Sequence, residues 1–254
     1  MRNFLKHLLN RYQYCIHRID PLTQAMNKAG SDKGWGLKGK HYYTRVYDQI
    51  FRKWQHEPIT LVEIGLLRPD WDQRRKTQGH EGVSDAVAFA APSLEAWRAY
   101  FPNAKIVGFD IDDFSKVMLK NVHILQGDMS SVDDLKQLLE ACNYSMDIVI
   151  DDGSHVSHHQ QICFSTLFPH LKPGGMYIIE DLHWQDGIYE QSEAMKTREM
   201  LRRFRVTGTL ESNDFSAKQG AEIAASIDHV RFYDSIETTV EDTEDALCVI
   251  VKKG

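Results

Sequence analysis

Short apolar runs alternate with amphipathic segments through the middle of the chain. Runs rich in β-branched residues predict strands at residues 59–65, 104–111, 121–128, 146–152 and 176–181. Apolar residues at helical spacing predict helices at residues 93–101, 131–142, 158–171 and 192–206. Ser93 and Ser131 stand at the start of two of these helices and are candidate N-caps. Strands that alternate with helices predict an α/β fold with a parallel sheet covered by helices on both faces.

The two ends of the chain depart from this alternation. Residues 228–235 and 245–253 predict two further strands that form an antiparallel hairpin, and "KPGG" at 172–175 predicts a turn. Over residues 1–19, apolar residues recur at helical spacing. That helix could pack on its own domain, on a sister subunit or on a membrane surface. Packing is the favoured alternative, and we expect a homo-oligomer.

Composition narrows the class of protein. The chain has 254 residues and a net charge of −6, which argues against a nucleic-acid-binding protein because such proteins need a basic surface. Its four cysteines lie far apart without a CxxC pair, as is typical of reduced thiols in the cytoplasm. No apolar run approaches the roughly 18 residues of a membrane span. We therefore expect a cytoplasmic protein with no transmembrane segment.

Acidic residues and one glycine stand at or just after the ends of the predicted strands. Right-handed crossovers place the carboxyl ends of parallel strands at one edge of a sheet, where ligands bind. The residues expected to converge there are Glu63, Gly65, Asp110, Asp128, Asp151, Asp152, Glu180 and Asp181. The sequence therefore predicts a single crevice that collects these side chains.

Two of these acids are typical of a nucleoside site. Asp110, at the end of the second strand, can accept both ribose hydroxyls of a nucleoside. Asp128, after the third strand, can accept an adenine amino group. The residues after Gly65 lack the G-x-G-x-x-G turn that a pyrophosphate needs, so S-adenosylmethionine fits better than a dinucleotide. Both aspartates could instead be helix caps or surface groups.

The other acids predict a metal site. Asp151 and Asp152 are neighbours in an extended segment, so their side chains point to opposite sides. Asp152, Glu180 and Asp181 would form a dense negative cluster with raised pKa values. A hard divalent cation such as Mg²⁺, which prefers carboxylate oxygens, would remove that repulsion. We expect these three residues to be the metal ligands.

A group of histidines follows the fourth strand. His155 lies three residues beyond Asp152 and is placed to remove a proton from a hydroxyl group that the metal ion binds. We therefore expect His155 and Asp152 to be the catalytic residues. His155 and His159 could instead bind zinc as an i, i+4 pair, although no third ligand is visible. His155 could also be an ordinary residue at a helix start, as we expect for His158 and His159.

Several motifs strengthen this interpretation when they are taken together. They are "SDKG", "HYYTRVYDQIF", "VEIG", "SLEAWRAYFPNAKIVGFDI", "QGD", "DIVIDDGSH" and "LKPGGMYIIEDLH". This set resembles the metal-dependent class I S-adenosylmethionine methyltransferases that act on sugar hydroxyls, the mycinamicin-type macrolide-sugar 2-O-methyltransferases among them. The resemblance implies a Rossmann-like doubly wound sheet in the order 3-2-1-4-5-7-6, mostly parallel with a C-terminal antiparallel hairpin. It also implies an N-terminal helical extension and lid at 1–56 and a methyltransferase domain at 57–254.

The resemblance implies roles for individual residues. Those that would hold S-adenosylmethionine are Glu63, Gly65, Asp110, Ile111, Asp128, Met129 and Asp151. Mg²⁺ would lie on Asp152, Glu180 and Asp181, with His155 as the base. The residues of the N-terminal segment that could contact substrate, or merely pack, are Asp32, Lys33, His41 and Tyr43. The family carries a glycine-rich turn after the first strand; here a loop at 66–92 intervenes, which could close over a substrate or equally be a solvated, disordered loop.

These expectations favour a Mg²⁺-dependent O-methyltransferase acting on a sugar hydroxyl. The acceptor would be a small molecule or a glycan, such as a glycoside, a natural product or a polysaccharide. One alternative is methylation of a catechol-like molecule, which would chelate the metal through two adjacent oxygens. The other is a non-catalytic protein with the same fold, although such a protein usually loses an acid or the base.

Overall fold

The computed structural model describes residues 20–35, 41–66, 90–184, 190, 195–236 and 242–254. Its strands are β1 (Thr60–Ile64), β2 (Lys105–Asp110), β3 (Val122–Gln126), β4 (Met146–Asp151), β5 (Leu171–Ile179), β6 (Ile227–Tyr233) and β7 (Leu247–Lys252). Its α-helices are α1 (Pro21–Ala29), α2 (Thr44–Phe51), α3 (Pro92–Tyr100), α4 (Val132–Ala141), α5 (Ser157–Leu167), α6 (Thr197–Thr207) and α7 (Ala217–Ser226). Short 3₁₀ turns extend α2 over Arg52–Trp54 and α5 over Phe168–His170.

The strands form one seven-stranded sheet in the order β3-β2-β1-β4-β5-β7-β6. The first five strands are parallel, and β7 runs antiparallel to both β5 and β6. This topology confirms the predicted α/β fold, its strand order and its antiparallel C-terminal pair. The carboxyl ends of β1, β4 and β5 therefore lie side by side at one edge of the sheet.

Alternate residues of each strand supply two separate cores. On one face, Val62 and Val149 join the apolar sides of α4, α5, α6 and α7. On the other face, Leu61 and Ile148 join α1, α2 and α3. The two N-terminal helices thus cover the sheet on the same face as α3, which brings Lys33 and Tyr43, between these helices, to the strand ends.

Of three local predictions, the structure corrects two and confirms one. Ser93 is not an N-cap, because α3 begins at Pro92 with Ala91 in the cap position. Ser131 does cap α4, where its hydroxyl accepts a hydrogen bond from the Asp134 amide. The "KPGG" residues lie inside β5 as an irregularity rather than in a turn before it, since the pairing with β4 passes from Leu171 directly to Met176.

The structure also contains a helix that the sequence did not predict. Residues 217–226 form α7, capped by Ser216. Gly220 weakened the helical pattern there, since glycine disfavours helix interiors. In the structure a Cβ at Gly220 would lie 2.4 Å from the Leu210 carbonyl oxygen, so close backbone packing requires the glycine.

The predicted N-terminal helix at 1–19 lies outside the described residues, as does most of the 66–92 loop. Within the described part, no helix is long and apolar enough to cross a membrane. The described cysteines are Cys142, Cys163 and Cys248, all free and buried. The division at residue 56, the cytoplasmic location and the homo-oligomer stay predictions.

Candidate active site

Lys33 lies at the centre of the converging strand ends. Its ammonium group donates hydrogen bonds to Asp152 Oδ2, just after β4, and to Glu180 Oε2 at 2.9 Å, just after β5. The same nitrogen lies 3.4 Å from Glu63 Oε1 on β1. Lys33 is only 1% exposed. One buried cation therefore joins carboxylates from three adjacent strands.

Two tyrosines, one before α2 and one within it, contact acids at the same edge of the sheet. The Tyr47 hydroxyl donates to Glu180 Oε1 at 2.5 Å, and the Tyr43 hydroxyl donates to Asp181 Oδ1. Both tyrosines are fully buried, and their phenol pKa values are raised by burial and by the neighbouring carboxylates. They remain protonated donors, so the N-terminal segment supplies hydrogen bonds to the acidic edge.

On one side of the acidic edge, Asp152 and His155 are partly exposed, and we call this the open side. It carries a group of side chains that could hold a metal ion. Ligand atoms of Asp152, His155 and Asp181 all lie within 4.8 Å of one another. His155 Nε2 lies 3.9 Å from Asp181 Oδ2. Both His155 (φ 60°) and Asp181 (φ 53°) have left-handed backbones. Such strain in non-glycine residues concentrates at functional sites.

The structure brings all three predicted metal ligands together but gives them different surroundings. Each carboxylate oxygen of Glu180 already accepts a hydrogen bond, from Lys33 or from Tyr47. Asp152 and Asp181 instead face the open side together with His155. His155, which the sequence predicted as the base, therefore stands where a third ligand could stand.

The pKa values of Asp152, Glu180 and Lys33 are all raised, but for different reasons. Burial raises the pKa of Asp152 and, more strongly, of Glu180, and the Lys33 charge only partly offsets this. Burial alone would lower the pKa of Lys33, but Asp152, Glu180 and Glu63 together raise it well above the usual range. Lys33 is therefore a permanent positive charge.

Asp181 is the exception among the acids. Burial alone would raise its pKa, but the neighbouring His41 and His155 side chains and the Tyr43 hydrogen bond outweigh burial and lower it. His41 Nδ1 lies 3.5 Å from Asp181 Oδ1. Asp181 is therefore ionised and is the carboxylate best suited to receive a cation on the open side.

Glu63, predicted as a cofactor contact, is fully buried at the end of β1. The Trp97 indole N–H donates to its Oε2 at 3.1 Å. Burial raises the pKa of Glu63 to about 7, against the opposing charge of Lys33. The described contacts of Glu63 are therefore internal ones, and they connect the cofactor half of the crevice to the acidic cluster.

Gly65 follows Glu63 and has a left-handed backbone with φ of 82°. A Cβ at this position would lie 2.0 Å from the Asp152 carbonyl oxygen. Only glycine lets the end of β1 approach the backbone after β4 this closely. Gly65 therefore fixes the distance between the two halves of the crevice.

Asp110 and Ile111 end β2 at the same edge. Asp110 accepts hydrogen bonds from the backbone amides of Leu66 at 2.6 Å and Asp112 at 2.7 Å. Ile111 is 46% exposed and could contact an apolar ligand surface. Both residues lie where the sequence placed a nucleoside site.

Asp128 and Met129 follow β3. Asp128 Oδ1 accepts hydrogen bonds from both the amide and the hydroxyl of Ser130, so it forms a local turn and does not cap α4. Met129 is buried, and its sulfur accepts a hydrogen bond from the Ser154 amide at 3.3 Å. The loop after β3 thus packs directly against the loop after β4.

Asp151 points away from the acidic cluster, as the alternation along β4 predicts. It is 0% exposed, and its Oδ2 accepts a hydrogen bond from the Tyr177 hydroxyl at 2.8 Å. Burial raises the pKa of Asp151 to about 7, even though the Tyr177 hydrogen bond opposes this. Its predicted position beside the methionine part of a cofactor stays a prediction.

The buried carboxyl of Asp151 should make stability depend on pH. Because its folded-state pKa is raised, its favourable contribution is complete below pH of about 4 and is lost as pH rises through about 7. Asp151→Asn should therefore reduce the loss of unfolding free energy between pH 4 and pH 8 by roughly 4 kcal/mol. Urea unfolding in chelator at several pH values measures this. The exposed Asp133→Asn is the matched control, and equal pH dependence in parent and Asp151→Asn would contradict the expectation.

Sequence reasoning missed two features of the site. Lys33 was expected only as a lid or substrate contact, and Tyr47 was not singled out. Outside the site, a hydrogen bond between His158 and Asp214 was also not predicted. His158 lies at the start of α5, and its Nδ1 atom is hydrogen bonded to Asp214 Oδ1. No local pattern shows these contacts, because their partners lie far away in sequence.

The seven-stranded sheet of this chain is similar to the fold of class I methyltransferases. The chain is 40% identical over 153 residues to an 8-demethyl-8-α-L-rhamnosyl tetracenomycin-C 2′-O-methyltransferase of Streptomyces olivaceus, covering 60% of this chain and 35% of the relative. It is 35% identical over 146 residues to a mycinamicin VI 2″-O-methyltransferase of Micromonospora griseorubida, covering 56% and 32%. No protein-family model matches the chain.

Among solved structures, the chain is similar to the MycE methyltransferase of the mycinamycin biosynthetic pathway in complex with Mg and SAH. The identity is 25% and the TM-score is 0.66, over 91% of this chain and 54% of that chain. The matched part is thus about a third of the length of the curated relatives and about half of the solved chain. These similarities confirm the resemblance that the motifs indicated.

Proposed function

We propose that the protein is an S-adenosylmethionine-dependent, Mg²⁺-dependent O-methyltransferase that acts on a sugar hydroxyl of a glycosylated natural product. The observation that carries this proposal is the convergence of Asp152, His155 and Asp181 within 4.8 Å. It occurs in a chain that is 40% identical to a rhamnosyl O-methyltransferase over 153 residues.

The donor set fits a hard divalent cation. Carboxylate oxygens are the ligands that Mg²⁺ prefers, and Asp152 and Asp181 offer them on the open side of the site. Glu180 lies behind them as a third carboxylate, already oriented by Lys33 and Tyr47. We assign Asp152, Glu180 and Asp181 as the residues that would hold the ion. When bound, the ion would lower the pKa of the acceptor hydroxyl.

His155 would then accept the hydroxyl proton. Its Nε2 atom faces Asp181 at 3.9 Å, close enough for that carboxylate to stabilise the imidazolium that forms. His155 lies just before helix α5, and its left-handed backbone accompanies a ring that lies against the acidic edge. Most of the rate enhancement should come from holding the hydroxyl and the methyl donor in line.

The cofactor half of the crevice fits S-adenosylmethionine. Asp110 stands at the end of β2 to accept ribose hydroxyls, and the exposed Ile111 beside it offers an apolar surface for adenine. Gly65 keeps the backbone after β1 close to Asp152, so the two halves of the site lie next to each other. The N-terminal extension and lid expected at 1–56 stays a proposal, and the contacts of Lys33, Tyr43 and Tyr47 with acids at the strand ends support its place at the site.

A transfer assay tests this proposal directly. Release of S-adenosylhomocysteine would be measured with rhamnosylated polyketide glycosides and, as the alternative class, with simple catechols. We expect turnover with at least one glycoside, loss of turnover in chelator, and recovery with Mg²⁺. Full activity in chelator, or transfer to catechols alone, would contradict the proposal. Calorimetry that detects S-adenosylmethionine binding but no divalent-ion binding would instead indicate a non-catalytic protein.

A further inference from the structure

The surroundings of Lys33 are unusual for a lysine side chain. An ammonium group has three N–H donors and no acceptor. Here Asp152, Glu180 and Glu63 surround it, at the ends of three different strands. Lysine is almost never fully buried unless it is paired, and Lys33 is 1% exposed. Lys33 is thus held entirely by the acids of the site.

The site has more carboxylate groups than the single Lys33 ammonium group can neutralise. The cluster around Lys33 and Tyr43 contains four carboxylates, Glu63, Asp152, Glu180 and Asp181, and Lys33 contacts the first three. The remaining negative charge faces the open side, where Asp152 and Asp181 stand with His155. Asp152 belongs to both groups, since it binds Lys33 through Oδ2 and also belongs to the group that could hold a metal ion.

We propose that Lys33 is a resident counter-cation that holds the acidic edge together before a divalent ion binds, and that it competes with that ion for the shared carboxylates. This inference rests on the proposed metal site. A fixed positive charge on Asp152 and Glu180 repels a second cation a few ångströms away, and the protein interior screens this repulsion less than water does. Lys33 therefore keeps the affinity for the divalent ion lower than the acids alone would give.

A purely structural lysine would behave in the opposite way. If Lys33 only positioned the acids, its removal would scatter them and weaken metal binding. If it competes, its removal leaves the acids more negative and strengthens metal binding, while the metal-free protein becomes less stable. The direction of the change in affinity therefore separates the two roles.

The test compares Lys33→Met with the parent protein in a Mn²⁺ titration. Binding is measured by calorimetry and by the electron paramagnetic resonance signal of free Mn²⁺. We expect Lys33→Met to bind Mn²⁺ about tenfold more tightly, because a repelling charge is gone. Its Tm in chelator should fall, and the rise in Tm on adding Mn²⁺ should exceed that of the parent. The control is Lys28→Met, an exposed lysine at the end of α1, which should change neither quantity.

Two further readouts keep the proposal falsifiable. Lys33→Arg keeps the positive charge although its guanidinium group is larger, so a folded Lys33→Arg protein should not show the tighter Mn²⁺ binding of Lys33→Met. If Lys33→Met is unfolded in chelator, we expect Mn²⁺ to refold it, as circular dichroism would show. Unchanged or weaker Mn²⁺ binding by folded Lys33→Met, or failure to refold with Mn²⁺, overturns the competition. If the parent binds Mn²⁺ and only this comparison fails, the proposed function survives; if neither protein binds Mn²⁺, both proposals fail.

Discussion

Asp152→Asn should lower methyl transfer by about 10³-fold or more, since a catalytic metal ion supplies several kcal/mol of transition-state stabilisation. Asp152 is the residue that the buried Lys33 contact and the group of possible metal ligands share. Asparagine has nearly the same shape but no charge, so the variant should stay folded. Release of S-adenosylhomocysteine and Mn²⁺ binding are the two measurements, and both should fall together.

The control for this variant is Asp228→Asn, a partly exposed aspartate on edge strand β6 far from the acidic edge. It should retain parental turnover and parental Mn²⁺ affinity. A circular dichroism melt confirms that each variant is folded. An Asp152→Asn protein that keeps more than a tenth of parental turnover would remove Asp152 from the mechanism.

His155→Asn should lower kcat by about 10²- to 10⁴-fold, the usual contribution of a general base. Asparagine suits this position better than alanine, because it tolerates the left-handed backbone that His155 adopts. If His155 is the base, Mn²⁺ affinity should stay within a few-fold of the parent. Part of the lost rate should return at higher pH, where hydroxide replaces the missing imidazole.

The same experiment distinguishes a base from a ligand. His155 lies in the group that could hold a metal ion, so a ligand role predicts loss of Mn²⁺ binding as severe as in Asp152→Asn. The exposed His123→Ala on β3 is the control and should leave kcat unchanged. Parental turnover in His155→Asn would contradict both roles.

Much of the fold was predictable because its signals are local. The strand runs have period-2 or continuous apolar patterns, and the helices between them have helical spacing, so element type and order follow from the sequence alone. Errors arose where tertiary contacts decide the outcome. Gly220 is required by packing against Leu210, and the "KPGG" residues stay in β5 because neighbouring strands pair with its two ends.

The convergence of acids was predictable for a different reason. Parallel strands place their carboxyl ends at one edge, so Asp152 and Glu180 had to become neighbours once the topology was known. Lys33 could not be placed in this way. It is 119 residues from Asp152 and 147 from Glu180 in sequence, and its position depends on how α1 and α2 pack on the sheet.

The balance between cations is the part of the site that the sequence could not describe. Crowded carboxylates predicted a divalent ion, but the Lys33 ammonium group already neutralises part of their charge. The sequence also could not separate Glu180, enclosed by Lys33 and Tyr47, from Asp181, which faces His155. The two residues are adjacent, and only the left-handed turn at Asp181 separates their surroundings.

The most direct test of the central claim is anomalous diffraction from crystals soaked with Mn²⁺ and S-adenosylhomocysteine. A single strong anomalous peak should lie within direct coordination distance of carboxylate oxygens of Asp152, Glu180 and Asp181, with the cofactor beside Asp110. A peak elsewhere, or none at this edge while Mn²⁺ and cofactor are in excess, would contradict a metal-dependent methyl transfer at this site.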